Sequence, residues 1–256
     1  MILAVDIGNT KTAAGLMAGA EVRARANVRT DANAAPEAIW SAFSAGLGGK
    51  VRVEGAVVCS VVPKATAAVM DAVRTGAGVE PVEFTATTPV GITNRYEPPS
   101  DVGADRLVNA YAAWKLHGLP AIIVDIGTAL TIDCISREAE YLGGVIAPGI
   151  GISLDALHER TALLPRVELK PPARLLGTST ATSIQSGVTH GHTVMIASLV
   201  EGLRQELPGG EEAHVVITGG YTAVLGERLR QVSRVIDPDL TLKGLALIYA
   251  ALTSHE

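Results

Sequence analysis

One short pattern occurs twice in this chain and constrains its fold more than any other. Near the start, Ala4-Val5-Asp6-Ile7-Gly8-Asn9-Thr10 leads into a second apolar run. Further on, Ile123-Val124-Asp125-Ile126-Gly127-Thr128-Ala129 leads into Leu130-Thr131-Ile132-Asp133. Each copy is an apolar strand ending in an aspartate, then Ile-Gly, then a hydroxyl or amide side chain, then a return strand. The aspartate puts a carboxylate at the rim of a sheet, and the glycine permits a tight turn with close backbone approach. One such hairpin is an ordinary edge turn. Two with the same Asp-Ile-Gly core imply a duplicated fold whose halves face each other across a cleft.

The length of 256 residues allows one large or two modest domains. With 48% hydrophobic residues the chain has ample material for a core, and the 18% charged fraction is ordinary for an Ala-rich globular protein. A net charge of -5 leaves no basic stripe to neutralise phosphates, which argues against a nucleic-acid partner. A nucleotide needs only a few local donors and a metal, so ATP stays open. Cys59 and Cys134 have neither metal nor redox spacing; they read as buried packing residues in a reducing compartment. The N-terminus enters a strand directly, without a basic leader, and no apolar run reaches the roughly 20 residues that span a bilayer. The expectation is a soluble, cytoplasmic protein with no membrane partner.

Taken in order, strands are expected at 2–6, 12–18 and 21–28, a helix from Pro36, a strand at 56–62 and a helix at 64–74. A strand at 82–84 leads into a loop at 85–103, and a helix opens at Gly103-Ala104-Asp105-Arg106 with Leu107, Ala110, Tyr111 and Trp114 at helical spacing. The second hairpin covers 121–136, and 141–146 extends its sheet. Helices follow at about 152–161 and up to about 207, then a strand at 214–217, a helix at 222–231, a strand at Val235-Ile236 and a final helix from Lys243. Strands come in bursts, each followed by helices, which indicates mixed α/β sheets. The division falls at residues 118/119, giving domains 1–118 and 119–256. A hairpin-led α/β pair of this kind resembles the actin-like (ribonuclease H-like) ATPases, a duplicated fold with a ligand between two mixed-sheet domains.

No strand–GxxxxGK[ST]–helix phosphate loop occurs in the sequence. Turn amides can serve instead: Gly8-Asn9-Thr10 presents N–H groups and a hydroxyl to an anion. The carboxylates of Asp6 and Asp125 repel an anion directly, so they make sense with a cation between, and magnesium needs only one or two carboxylates plus phosphate oxygens. Thr218-Gly219-Gly220, at a third strand end, suits either a flat base or a plain helix entry. His190 and His192 lack a third metal ligand and read as surface or packing residues. Asp105 falls in the first turn of a helix, where the dipole favours an anion. Acids are common there; the functional alternative is a general base in phosphoryl transfer, where the protein mainly positions groups and stabilises charge.

Several stretches, in this order, resemble the type III pantothenate kinases, which open coenzyme A synthesis. They are Asp6 to Thr10, Ser60-Val61-Val62-Pro63, Gly103 to Arg106, Asp125 to Ala129 with Thr131 and Asp133, Gly143-Gly144, Thr161 to Pro165, Gly177 to Thr180, and Thr218-Gly219-Gly220. The resemblance implies ATP-dependent phosphorylation of pantothenate, with Mg2+ and a monovalent cation (K+ or NH4+), by a homodimer. It implies that Asp6, Ile7, Gly8, Asn9, Thr10, Lys11, Thr12 and Ala13 hold ATP phosphates and that Thr128 contacts ATP. Asp105 matches the proton acceptor; Tyr96, Gly103, Ala104, Asp105, Arg106 and Thr180 match the pantothenate-binding positions; Asp125 matches the ligand of the monovalent cation. Lys11 departs mildly from the family pattern, where a small polar residue often stands, and is expected to face solvent. Two alternatives remain at this stage: an actin-like kinase for another small alcohol, or a nucleotide-binding regulatory relative that has lost turnover.

Overall fold

The alternating and apolar runs at the N-terminus fold as an antiparallel meander of β1 (Ile2–Ile7), β2 (Lys11–Ala18) and β3 (Glu21–Arg29). The computed structural model describes residues 1–49 and 52–254. β1 and β2 are apolar through nearly every position because both sheet faces are covered, whereas β3 alternates, as an edge strand should. β4 (Gly55–Ser60) adds parallel to β1, and β5 (Pro81–Phe84) parallel to β4, giving the order β3-β2-β1-β4-β5. α1 (Pro36–Gly46) and α2 (Pro63–Ala77) connect them, each with proline in its first turn, where a missing N–H costs nothing. Ile39 and Phe43 of α1 and Val69 and Val73 of α2 close one face over Leu3, Val5, Ile7 and Val58. The segment at 85–103 contains a two-residue strand β6 (Thr93–Asn94) and a 3-10 turn, Pro99–Asp101, before α3 (Ala104–His117).

The second half repeats this plan. β7 (Ala121–Ile126), β8 (Ala129–Ile135) and β9 (Glu140–Pro148) form the meander, then β10 (His214–Thr218) and β11 (Val235–Ile236) add in parallel. Their order, β9-β8-β7-β10-β11, matches that of the first sheet strand for strand. The duplication expected from the twin motif is therefore present in the topology. α4 (Ile150–Glu159) and α5 (Thr180–Glu206) cover one face through Ile150, Ile184, Val188, Ile196 and Val200, packed on Ile122, Val124, Ile132 and Ile217. The helix expected at 222–231 is broken: α6 (Thr222–Leu225) gives way to a 3-10 turn, Gly226–Gln231, at Gly226, whose φ of 54° lies outside the helical region.

The expected division into 1–118 and 119–256 needs one correction. Two compact units form, Met1–Leu116 with the segment from Asp239 onward, and His117–Pro238. The last helix, α7 (Leu240–Thr253), starts earlier than expected and packs on β1, β2 and β4 of the first unit. Arg25 pairs with Asp239 at 2.6 Å, the Thr241 hydroxyl donates to Asn109 Oδ1 at 2.8 Å, and Leu242 lies against Gly15. The final helix covers the face of the first sheet that α1 and α2 leave open, a long-range pairing that chain order conceals. Among the described residues, no helix is long and apolar enough to cross a membrane.

Two helix-interior glycines test this docking with opposite signs. A Cβ on Gly244 of α7 would sit 2.6 Å from the Val108 carbonyl oxygen of α3, whereas one on Gly202 of α5 meets nothing within 4 Å. Gly202→Ala should stabilise the protein by about 0.5–1 kcal/mol through helix propensity. Gly244→Ala should destabilise it by about 1–3 kcal/mol through overpacking. Equilibrium urea unfolding of both variants measures the two effects; Gly244→Ala as stable as wild type would mean that α7 does not seat closely on α3.

Candidate active site

In sheets of this kind ligands bind beyond the carboxyl ends of the parallel strands. Those ends carry the two motifs. In the first unit Asp6 is the penultimate residue of β1, opposite Ala13 on β2 and Cys59 on β4. The Gly8 N–H donates to Lys11 O at 3.1 Å and closes the turn. Asn9, Thr10 and Lys11 are exposed, whereas Thr12 and Ala13 are buried within β2. The turn is tethered from β3: the Thr30 hydroxyl donates to Gly8 O at 2.7 Å and lies 3.0 Å from the Thr12 hydroxyl, and the Thr30 N–H donates to Thr10 O. Thr30 is absent from the sequence reading. Its only signal was a hydroxyl at the end of a strand two removed from the motif.

Asp105 begins α3. Its Oδ1 accepts the Arg106 N–H at 2.8 Å and lies 2.5 Å from where a Cβ on Gly103 would be, so only glycine leaves this carboxylate its place. Ala104 and Arg106 are buried, and the Arg106 guanidinium lies 5.6 Å from the centre of the Tyr96 ring, a cation–π contact. Asn94 fixes the preceding loop, accepting the Tyr96 N–H and donating to Pro99 O, both at 3.0 Å. Asn94 too escaped the sequence reading. The Asp6 turn and Asp105 converge on the buried Cys59 thiol. Burial drives its pKa well above the ordinary range, and the charges of Asp6, Asp105 and Glu83 raise it further. Asp6, Asp105, Arg106 and Tyr96 thus all belong to the first unit, with the uncharged Cys59 thiol in register with Asp6 on the adjacent strand.

In the second unit Asp125 holds the position on β7 that Asp6 holds on β1. The Gly127 N–H donates to Ala129 O at 3.1 Å, and the turn is one residue shorter than its counterpart, leaving Thr128 exposed at its tip. Asp125 stands in register with Thr131 on β8 and with Thr218 on β10, so a carboxylate is flanked by two hydroxyl residues on one face. Its Oδ1 lies 2.5 Å from where a Cβ on Gly219 would be, and Gly219 has φ 102°, so both space and conformation require glycine. This oxygen-only set suits a hard cation. Thr180 is the exposed first residue of α5, after Ser179, which forms a capping box with Thr182. His192 is buried, its ring nitrogens 2.7 Å from Val188 O and 3.1 Å from Pro148 O, and so serves packing. Among the described residues no group of three or more His, Cys, Asp or Glu could hold a metal ion.

The profile of the type III pantothenate kinases matches residues 2–202. A type III pantothenate kinase of Moorella thermoacetica is 40% identical over 254 residues, covering 97% of this chain and 98% of that protein. The chain belongs to the type III pantothenate kinase family. Two solved structures share its fold at low identity. One is the activator of the 2-hydroxyisocaproyl-CoA dehydratase from Clostridium difficile with bound ADPNP, 13% identical, covering 99% of this chain and 96% of that one, TM-score 0.55. The other is a ROK family glucokinase from Streptomyces griseus in complex with glucose and AMPPNP, 16% identical, covering 100% and 99%, TM-score 0.52. The fold is thus the actin-like α/β architecture with two mixed sheets, as the twin hairpins implied.

The tether on the first turn yields a test. Thr30→Val keeps the volume and removes the hydroxyl beneath Gly8, and a net hydrogen bond is worth about 0.5–1.5 kcal/mol. The KM for nucleotide should rise about 3- to 10-fold, with the KM for the acceptor within about twofold of wild type. Steady-state kinetics with each substrate varied in turn reads both. Equal effects on the two would mean that the turn Thr30 holds has no particular part in binding nucleotide.

Proposed function

We propose that this protein transfers the γ-phosphoryl group of ATP to the primary hydroxyl of pantothenate, giving 4′-phosphopantothenate and ADP in the cytoplasm. The near-full-length likeness to type III pantothenate kinases carries the reading. The geometry of the first unit supports the assignment of roles. The turn from Asp6 to Thr10, continuing to Ala13, holds the phosphates through backbone N–H groups and the Thr10 hydroxyl, and Thr128 contacts the nucleotide from the second motif. Asp105 is the general base: it takes the hydroxyl proton as that oxygen bonds to the γ-phosphorus and the bond to the β-phosphate oxygen breaks. A carboxylate pinned by a backbone N–H at the start of α3 is fitted to this task, because orientation is most of what phosphoryl transfer asks of a protein. Arg106, buried against Tyr96, supplies the cation for the pantothenate carboxylate, and Thr180 completes the acceptor contacts.

Two cations belong to this reading. Asp6 would meet magnesium on the phosphates, and magnesium when bound would neutralise charge on the phosphate oxygens. Asp125, with Thr131 and Thr218 beside it in register, offers the oxygens for potassium or ammonium. The active form is a homodimer, a reading supported by exposed Ile146, Ile152 and Val194 on β9, α4 and α5. Sedimentation should give twice the chain mass of 26.4 kDa; a monomer at assay concentration would overturn the dimer.

ADP release with pantothenate, in potassium and in its absence, tests the function and the base together. Wild type should turn over only with pantothenate present. Asp105→Asn should lose about 10²–10⁴-fold in kcat, the usual contribution of a positioned base. No pantothenate-dependent turnover in wild type would overturn the kinase reading. Near-wild-type kcat in Asp105→Asn would overturn the base alone.

A further inference from the structure

β8 carries one residue out of keeping with its surroundings. Its neighbours Ile132, Cys134 and Ile135 are buried and apolar, yet between them Asp133 is 1% exposed. A buried carboxylate is costly unless hydrogen-bonded, and any aliphatic residue would fill this position at less cost. The carboxylate is served from β9. Tyr141, fully buried, donates its O–H to Asp133 Oδ1 at 2.6 Å. A register shift between Cys134 and Ile135 sets Tyr141 opposite Ile135, from where its ring reaches diagonally back to Asp133. The other oxygen, Oδ2, accepts from the Thr131 hydroxyl at 3.4 Å, at the outer limit for such a bond.

Thr131 is the link, because it is also the cross-strand partner of Asp125. A threonine hydroxyl has one proton and two lone pairs, and an ionised carboxylate only accepts. A proton committed to Asp133 therefore leaves the lone pairs of Thr131 for the Asp125 side. We propose that Asp133 and Tyr141 are positioning residues for the cation site at Asp125. Asp133 turns the Thr131 hydroxyl so that its oxygen, rather than its proton, faces the cation, and the Tyr141 O–H fixes the carboxylate that does so. The polar line Tyr141–Asp133–Thr131–Asp125 then serves the cation site rather than the stability of the sheet, and it rests on reading Asp125 as the monovalent-cation ligand.

Tyr141→Phe and Thr131→Val keep shape and remove one hydroxyl each. Two quantities are read for both variants, Asp125→Asn and wild type. The first is the potassium concentration for half-maximal rate. The second is the rise in thermal midpoint when potassium chloride replaces tetramethylammonium chloride at constant ionic strength, which reports cation binding without turnover. Losing an outer support of a metal ligand commonly costs about 10–100-fold in affinity. Both variants should need about tenfold more potassium or beyond, and should lose most of the potassium-specific stabilisation, with the KM for pantothenate within about twofold of wild type. A purely structural pair would lower the midpoint equally in both salts and leave the half-activating concentration unmoved; that result overturns the proposal. Potassium dependence lost in Asp125→Asn but intact in both hydroxyl variants overturns this inference alone. A wild type indifferent to monovalent cations overturns the reading of Asp125, and this inference with it.

Discussion

The hydrogen bond that closes each Asp-Ile-Gly turn is the constraint from which the remaining geometry follows. The Gly8 N–H to Lys11 O and the Gly127 N–H to Ala129 O, both 3.1 Å, reverse the chain immediately after a strand-end aspartate. Reversal there fixes the antiparallel register of β1 with β2 and of β7 with β8. That register keeps Asp6 and Asp125 at the carboxyl ends of strands that also pair in parallel with β4 and β10. A slip of one residue would turn each carboxylate to the opposite face of its sheet. Both carboxylates are thus tied to interior strands of their sheets, β1 and β7.

The two turns are similar, but their surroundings differ. The first is longer and held from below by Thr30, leaving exposed amides and a hydroxyl at its tip. The second is tight, with room beside its aspartate for only a glycine at 219, while hydroxyl residues flank it on both neighbouring strands. An exposed run of donors is fitted to phosphate; a carboxylate framed by hydroxyl oxygens is fitted to a cation.

What was legible in the sequence was local. Apolar alternation placed the strands, proline and glycine placed helix ends, and the repeated Asp-Ile-Gly hairpin exposed the duplication. Asp105 was legible as a helix-start acid, though its dependence on the bare backbone of Gly103 was not. Contacts between residues far apart in the chain stayed hidden: α7 on the first sheet and Thr30 against Gly8. Each depends on pairing register or helix docking, which no short window of sequence encodes. The broken helix at Gly226 was missed because its apolar spacing is helical and a single glycine gives weak warning.

Pantothenate carries one primary and one secondary hydroxyl, and the proposed reaction phosphorylates the primary one. Proton-coupled 31P NMR of the reaction with ATP, magnesium, potassium and pantothenate distinguishes them directly. A new phosphomonoester resonance split into a triplet by an adjacent methylene is the predicted result. A doublet from a methine, or no new monoester beside accumulating inorganic phosphate, would contradict the central claim.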